Sequence, residues 1–137
     1  MMALVLVACA AAKAPPPVVL RFGDASLRVR VADEPSERSR GLMGVTDLGP
    51  DEGMLFVYPE PSARYFWMKD TPTALSIVFC DAEGVVLTMA DMAPLDATLT
   101  PSTHPVLYAI EAHQGWFVDH GVRVGDRVAG LPPRAPK

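Results

Sequence analysis

The sequence predicts an α+β domain that is mostly β: a curled, mainly antiparallel sheet or small barrel carrying two short helices. Three observations lead there. Seven or eight short apolar segments recur along the chain, each about strand length and bounded by Gly, Pro, Asp or Ser. Most successive segments are joined by turns too short for a parallel crossover, which favours antiparallel pairing. The only helical signals are short, at residues 33–40 and 115–121. Half of the 137 residues are hydrophobic and a fifth are charged, the balance of one globular domain with ends.

Residues 18–128 form the expected domain, with residues 1–17 as a leader and tether and residues 129–137 as a disordered tail. Val18–Phe22 and Ser26–Val31 flank a Gly23-Asp24 turn and read as a hairpin, the second segment alternating apolar and polar side chains. Asp33–Arg40 reads as a helix: acids lead, Pro35 suits the first turn, arginines close it, and Gly41 stops it. Gly53–Tyr58 is continuously apolar and reads as a central strand buried on both faces, after which Pro59–Ser62 turns the chain. Arg64–Lys69 and Leu75–Cys80 are the next strands. Asp81–Gly84 turns into Val85–Met89. Residues 91–105 read as a long irregular loop, a length that often accompanies function or mobility. Val106–Ala112 is a strand, Gly115–Gly121 a single helical turn, and Val122–Val128 a last strand bent at Gly125.

Composition excludes some functions. Residues 18–128 hold nine Arg and Lys against sixteen Asp and Glu, a net of −7, with no basic run or stripe. That argues against a nucleic-acid partner and against attraction to an anionic membrane surface. His104, His113 and His120 show no metal-ligand spacing, and the methionines read as core filler rather than copper ligands. No metal or cofactor is expected. Cys80 ends a buried strand and reads as a small apolar residue.

Leu6-Val7-Ala8-Cys9 resembles a lipobox, in which cleavage precedes a cysteine that carries the lipid. Lys13–Pro17 suits a stiff tether between such an anchor and the domain. The expectation is export to the periplasmic side of a bacterial membrane, with lipid attachment at Cys9 as the sole membrane link and a monomeric domain.

The candidate site is Phe66–Thr71. Period-two alternation sends Phe66 and Met68 to the core and leaves Trp67 and Lys69 together on the other face. An indole beside an ammonium suits a ligand with an apolar plane and an acid group, or a stacked sugar. Asp70 and Thr71 add an acceptor and a hydroxyl. Glu111 stands in an otherwise apolar strand and calls for a cation, with Lys69 and Arg40 as candidates. The alternative is that Trp67 packs under the 91–105 loop and the charges are structural.

Arg40-Gly41-Leu42-Met43, Gly53-Met54-Leu55-Phe56, Phe66-Trp67-Met68-Lys69, Glu111, Gly115 and Gly125-Asp126 occur in one order with familiar spacings. In these motifs the chain resembles the domain-of-unknown-function family 192 over roughly residues 27–128. The resemblance implies a compact β-rich domain with short helices and no established activity. Asp70 replaces a common Asn, Ala74-Leu75-Ser76 a common Pro-Leu-Asp, and Gly44-Val45 lacks the usual Arg. The expected function is a non-catalytic binding or accessory module of the cell envelope, taking a small molecule, glycan or envelope protein through Trp67, Lys69, Asp70, Thr71, Arg40 and Glu111. A small hydrolase pairing Asp70 with Glu111, and a purely structural domain, are the alternatives.

Overall fold

A computed structural model describes residues 16–137; the leader and Cys9 lie outside the described residues. Ten elements follow in order: β1 (Val18–Phe22), β2 (Ala25–Ala32), α1 (Pro35–Arg40), β3 (Glu52–Ser62), β4 (Tyr65–Phe66), β5 (Leu75–Cys80), β6 (Val86–Met92), β7 (Thr100–Pro101), β8 (Val106–His113) and α2 (Trp116–Asp119). A six-stranded sheet has the order β1-β2-β3-β8-β5-β6, and β4 and β7 form a separate two-stranded ribbon. The α+β class, the curled sheet and the two short helices are as expected. The sheet does not close into a barrel. One pair, β2 with β3, is parallel (Arg28 opposite Glu52 through Ala32 opposite Phe56). Residues 33–51, with α1 inside them, are long enough for that crossover.

Local chemistry sets each boundary. The Glu34 amide donates to Glu37 Oε1 (3.2 Å) at the start of α1. Gly41, at φ 51°, ends it by donating its amide to the Glu37 carbonyl. A Cβ there would meet the Phe56 ring at 3.3 Å, so glycine also lets the helix end approach the sheet. Asp81 Oδ1 accepts the amides of Glu83 and Val85 and shapes the turn before β6.

Both faces of the sheet are buried. One face packs Leu27, Leu55, Val78 and Ile110 against Trp116 and Phe117 of α2. The other packs Phe56, Ile77, Phe79 and Ala109 against Leu42, Phe66 and Met68. Gly53 lies in β3 opposite Ala112, where an added Cβ would sit 2.0 Å from the Glu111 carbonyl oxygen. That neighbour is backbone at the centre of the sheet and has no room to yield. Gly53→Ala is expected to cost about 3 kcal/mol, and a urea midpoint equal to the parent's would contradict the packing described here.

Several expectations need correction. Pro59–Ser62 continues β3 instead of turning; the prolines fall in the irregularity between Val57 and Ser62, where the β8 ladder needs no amide from them. Arg64–Lys69 is not a full strand: only Tyr65 and Phe66 pair, and Lys69-Asp70 is a turn. The 91–105 segment is not a structureless loop. It finishes β6, holds β7 and pairs with the 64–71 stretch, the Met68 amide donating to Asp96 O (2.7 Å) and the Leu95 amide to Thr71 O (3.0 Å). Val122–Val128 is not a strand; this stretch and Ala129 reach both sheet edges through isolated bridges, Val85 with Arg127 and Arg21 with Ala129. Beyond it, the tail expected to be disordered is anchored to the domain at two points. The Tyr108 hydroxyl donates to Pro132 O, the Ala135 amide donates to Tyr58 O, and Ala135 is buried.

Candidate functional site

Phe66 and Met68 point into the core while Trp67 remains 44% exposed, so the alternation holds although the strand is short. Phe66 sits edge-to-face between Phe56 (4.9 Å) and Phe79 (5.6 Å), which anchors the β4–β7 ribbon to the sheet. The ribbon, the end of α1 and the sheet thereby enclose a cavity of about 340 Å³. Its apolar surface includes Leu42, Phe56 and Phe66; Arg38, Arg40, Tyr65 and Trp67 also line it, with Thr71 and Glu111.

Four of the six residues expected at a site therefore meet here: Arg40, Trp67, Thr71 and Glu111. Lys69 and Asp70 do not line the cavity. Lys69 Nζ lies 5.3 Å from the centre of the Trp67 ring, a cation–π contact with the exposed indole. Asp70 occupies a left-handed turn (φ 54°) and its carbonyl accepts the Gly44 amide at 2.8 Å. Asp and Asn are the non-glycine types that tolerate this conformation, which accounts for their exchange at this position. Thr71 is buried, its hydroxyl donating to the Lys69 carbonyl (3.1 Å).

Glu111 departs most from expectation. It is 4% exposed and neither Lys69 nor Arg40 pairs with it; among the described residues the ion pair is Arg127 with Glu83, on the surface. Burial alone pushes its carboxyl up to about 8 from the ordinary 4.5. It lies in β8 between Met54 of β3 and Ile77 of β5, both apolar. The carboxyl is therefore a neutral acid at pH 7, able to donate or accept a hydrogen bond.

Two residues of the site, Arg38 and Tyr58, were not apparent from the sequence. Arg38 anchors α1 to the sheet, Nη1 donating to Asp33 O (2.7 Å) and Val57 O (3.0 Å). Its guanidinium lies 5.1 Å from the Tyr58 ring centre and that of Arg64 lies 3.8 Å away. Burial pushes the Tyr58 hydroxyl up to about 12, with Arg64 and Arg38 opposing that rise. Burial likewise lowers the pKa of Arg64. The only signal for Tyr58 was its place at the end of an apolar run, where a hydroxyl and two nearby arginines are not legible as a stack.

The other departures from the family pattern also lie off the cavity. Ser76 donates to Asp91 Oδ1 and accepts the Gly115 amide (2.9 Å), tying β5 to β6 and to the start of α2. The Val45 carbonyl accepts the Thr73 hydroxyl (3.1 Å). His113 and His120 donate ring N–H groups to Leu48 O and Trp116 O, and no group of metal-ligating side chains converges among the described residues. Cys80 is a buried free thiol that burial pushes up to about 12.

Two solved structures share this fold. A proposed transcription regulator from Sinorhizobium meliloti is 34% identical, with a TM-score of 0.78 over 84% of this chain and 94% of that one. A protein of unknown function from Novosphingobium aromaticivorans is 32% identical, with a TM-score of 0.74 over 82% of each chain. No curated protein matches the chain. The profile of DUF192, described as "Uncharacterized ACR", matches residues 18–130, and the chain belongs to that family.

Proposed function

We propose that the domain is a non-catalytic ligand-binding module whose site is the cavity between α1, the 65–71 stretch and the sheet. The observation that carries this reading is Glu111: a buried carboxyl with no ion-pair partner among the described residues, lining an accessible cavity. The buried side-chain polar atom left without any partner among the described residues is Arg64 Nε; the Glu111 carboxyl instead opens on the cavity, where a ligand oxygen would take the place of water. Aromatic walls with a few polar groups are what small-molecule sites use.

The setting we propose is the exported face of a bacterial envelope, as an accessory domain for a small molecule or glycan. That part rests on the lipobox-like Leu6–Cys9 run alone, and the mass of the mature N-terminus tests it. A DNA-contacting role, of the kind a transcription regulator would need, lacks support in a domain of net charge −7 over residues 18–128. A paired-carboxylate hydrolase lacks its second acid, since Glu111 is the sole acid lining the cavity among the described residues and Asp70 lies outside it.

Thermal shift of the native protein against small carboxylates and envelope glycans tests the binding reading. A ligand at a hundred times its Kd stabilises by about 2.7 kcal/mol. Trp67→Ala, at a half-exposed side chain, is expected to change stability by no more than about 1 kcal/mol while removing the shift. A shift that survives the substitution would move the site elsewhere, and unfolding of the variant would make Trp67 structural.

A further inference from the structure

The lining of the cavity narrows the chemistry of its ligand, provided that the cavity binds one as proposed above. Charge is arranged asymmetrically. Arg38 and Arg40 of α1 line the cavity, and its one acid among the described residues, Glu111, is buried and held toward the neutral form at pH 7. Arg40 is exposed and makes no side-chain hydrogen bond or ion pair among the described residues, and Arg38 commits only Nη1 to backbone carbonyls. Both retain donors for an anion, in the fork geometry that suits a carboxylate or phosphate. Aromatic side chains, Phe56, Tyr58, Phe66 and Trp67, share the lining with these polar groups, and Tyr65 (64% exposed) lines it too.

We propose that the ligand is a small organic anion, a carboxylate or phosphate ester with a flat apolar body, held by its acid group at Arg38 and Arg40 and by the Glu111 carboxyl at a hydroxyl or carbonyl oxygen on its inner end. An amine ligand fits less well, because two arginines line the cavity and its one acid is held toward the neutral form by burial. The groups around Glu111 keep it a donor. β3 presents Met54, Phe56 and Tyr58; β5 presents Ile77; β8 continues with Ala109 and with His113, which is engaged on Leu48 O. The 65–71 stretch contributes the Thr71 hydroxyl, already donated to Lys69 O, and α1 contributes the two arginines. Binding is consequently proton-linked. Above about pH 8 the carboxyl ionises, loses its proton for the ligand oxygen and adds a negative charge beside an anion.

Calorimetric titration of the full chain with 4-hydroxyphenylacetate, phenylacetate and tyramine at pH 6 and pH 9 tests this. The expected result is that 4-hydroxyphenylacetate binds best at pH 6 and about tenfold more weakly at pH 9, as ionisation one unit above the Glu111 midpoint requires. Phenylacetate, without the inner hydroxyl, binds more weakly at pH 6. Glu111→Gln, which keeps a donor but does not titrate, binds 4-hydroxyphenylacetate equally at both values, and Arg40→Ala weakens it at both. Preference for tyramine would overturn the anion assignment, and pH-independent binding by the parent would overturn the part given to Glu111, each leaving the cavity a binding site. Failure of all three compounds, together with no Trp67-dependent shift from the acid and glycan panel, would overturn both readings.

Discussion

Glu111→Gln is expected to stabilise the protein at pH 7 by about 3 kcal/mol, roughly 10 °C in Tm for a chain of this size. In the folded state the Glu111 carboxyl holds its proton up to about pH 8; in the unfolded chain it releases it near 4.5. The native state therefore binds more protons between those values, and the stability this group permits is fully present below about pH 4.5 and lost as pH rises to about 8. Glutamine keeps the shape and the donor without the ionisation. Urea unfolding of parent and variant should give similar free energies at pH 4 and diverge steadily toward pH 8. Equal free energies at pH 7 would show that Glu111 has a partner or ready access to water. A stabilising substitution at a buried position is what a residue kept for binding at the expense of stability should produce.

Phe66→Ala is expected to have the largest opposite effect, a loss of about 3–5 kcal/mol. Phe66 is 8% exposed and its ring joins Phe56 to Phe79, tying the two-residue β4 to the main sheet. Because it also lines the cavity, the ligand shift should disappear along with the stability, measured well below the variant's own Tm. Trp67→Ala, one residue further, should remove the shift with the fold intact. That contrast between adjacent residues is the energetic form of the alternation first seen in the sequence.

Period-two alternation made Phe66, Met68 and Trp67 legible, because facing the core or solvent is a local property of extended backbone. It also made Glu111 stand out, as an acid in an apolar strand. Whether Glu111 had a partner was not legible: that depends on which strands flank β8, and β3 and β5 bring Met54 and Ile77 to it. The parallel β2–β3 pair was hidden because α1, not a tight turn, makes the connection. Lys69 and Asp70 read as polar site residues, yet the turn at Asp70 carries both away from the cavity. Arg38 and Tyr58 were missed because their stack joins a helix to a strand across the crossover. Prolines dominate the local signal of the tail, while its anchors, Tyr108 Oη and the Tyr58 carbonyl, belong to distant strands.

Binding, its pH dependence and the stabilising substitution all turn on Glu111 being a neutral acid without an ion-pair partner among the described residues, facing the cavity. The most direct measurement is a titration of its side-chain carboxyl by carbon NMR of glutamate-labelled protein, with Glu111→Gln to assign the signal. A midpoint near 8 is the result expected, moving when an anionic ligand occupies the cavity. A midpoint in the ordinary range near 4.5 would contradict it, since a carboxyl that ionises freely there is either paired or open to water.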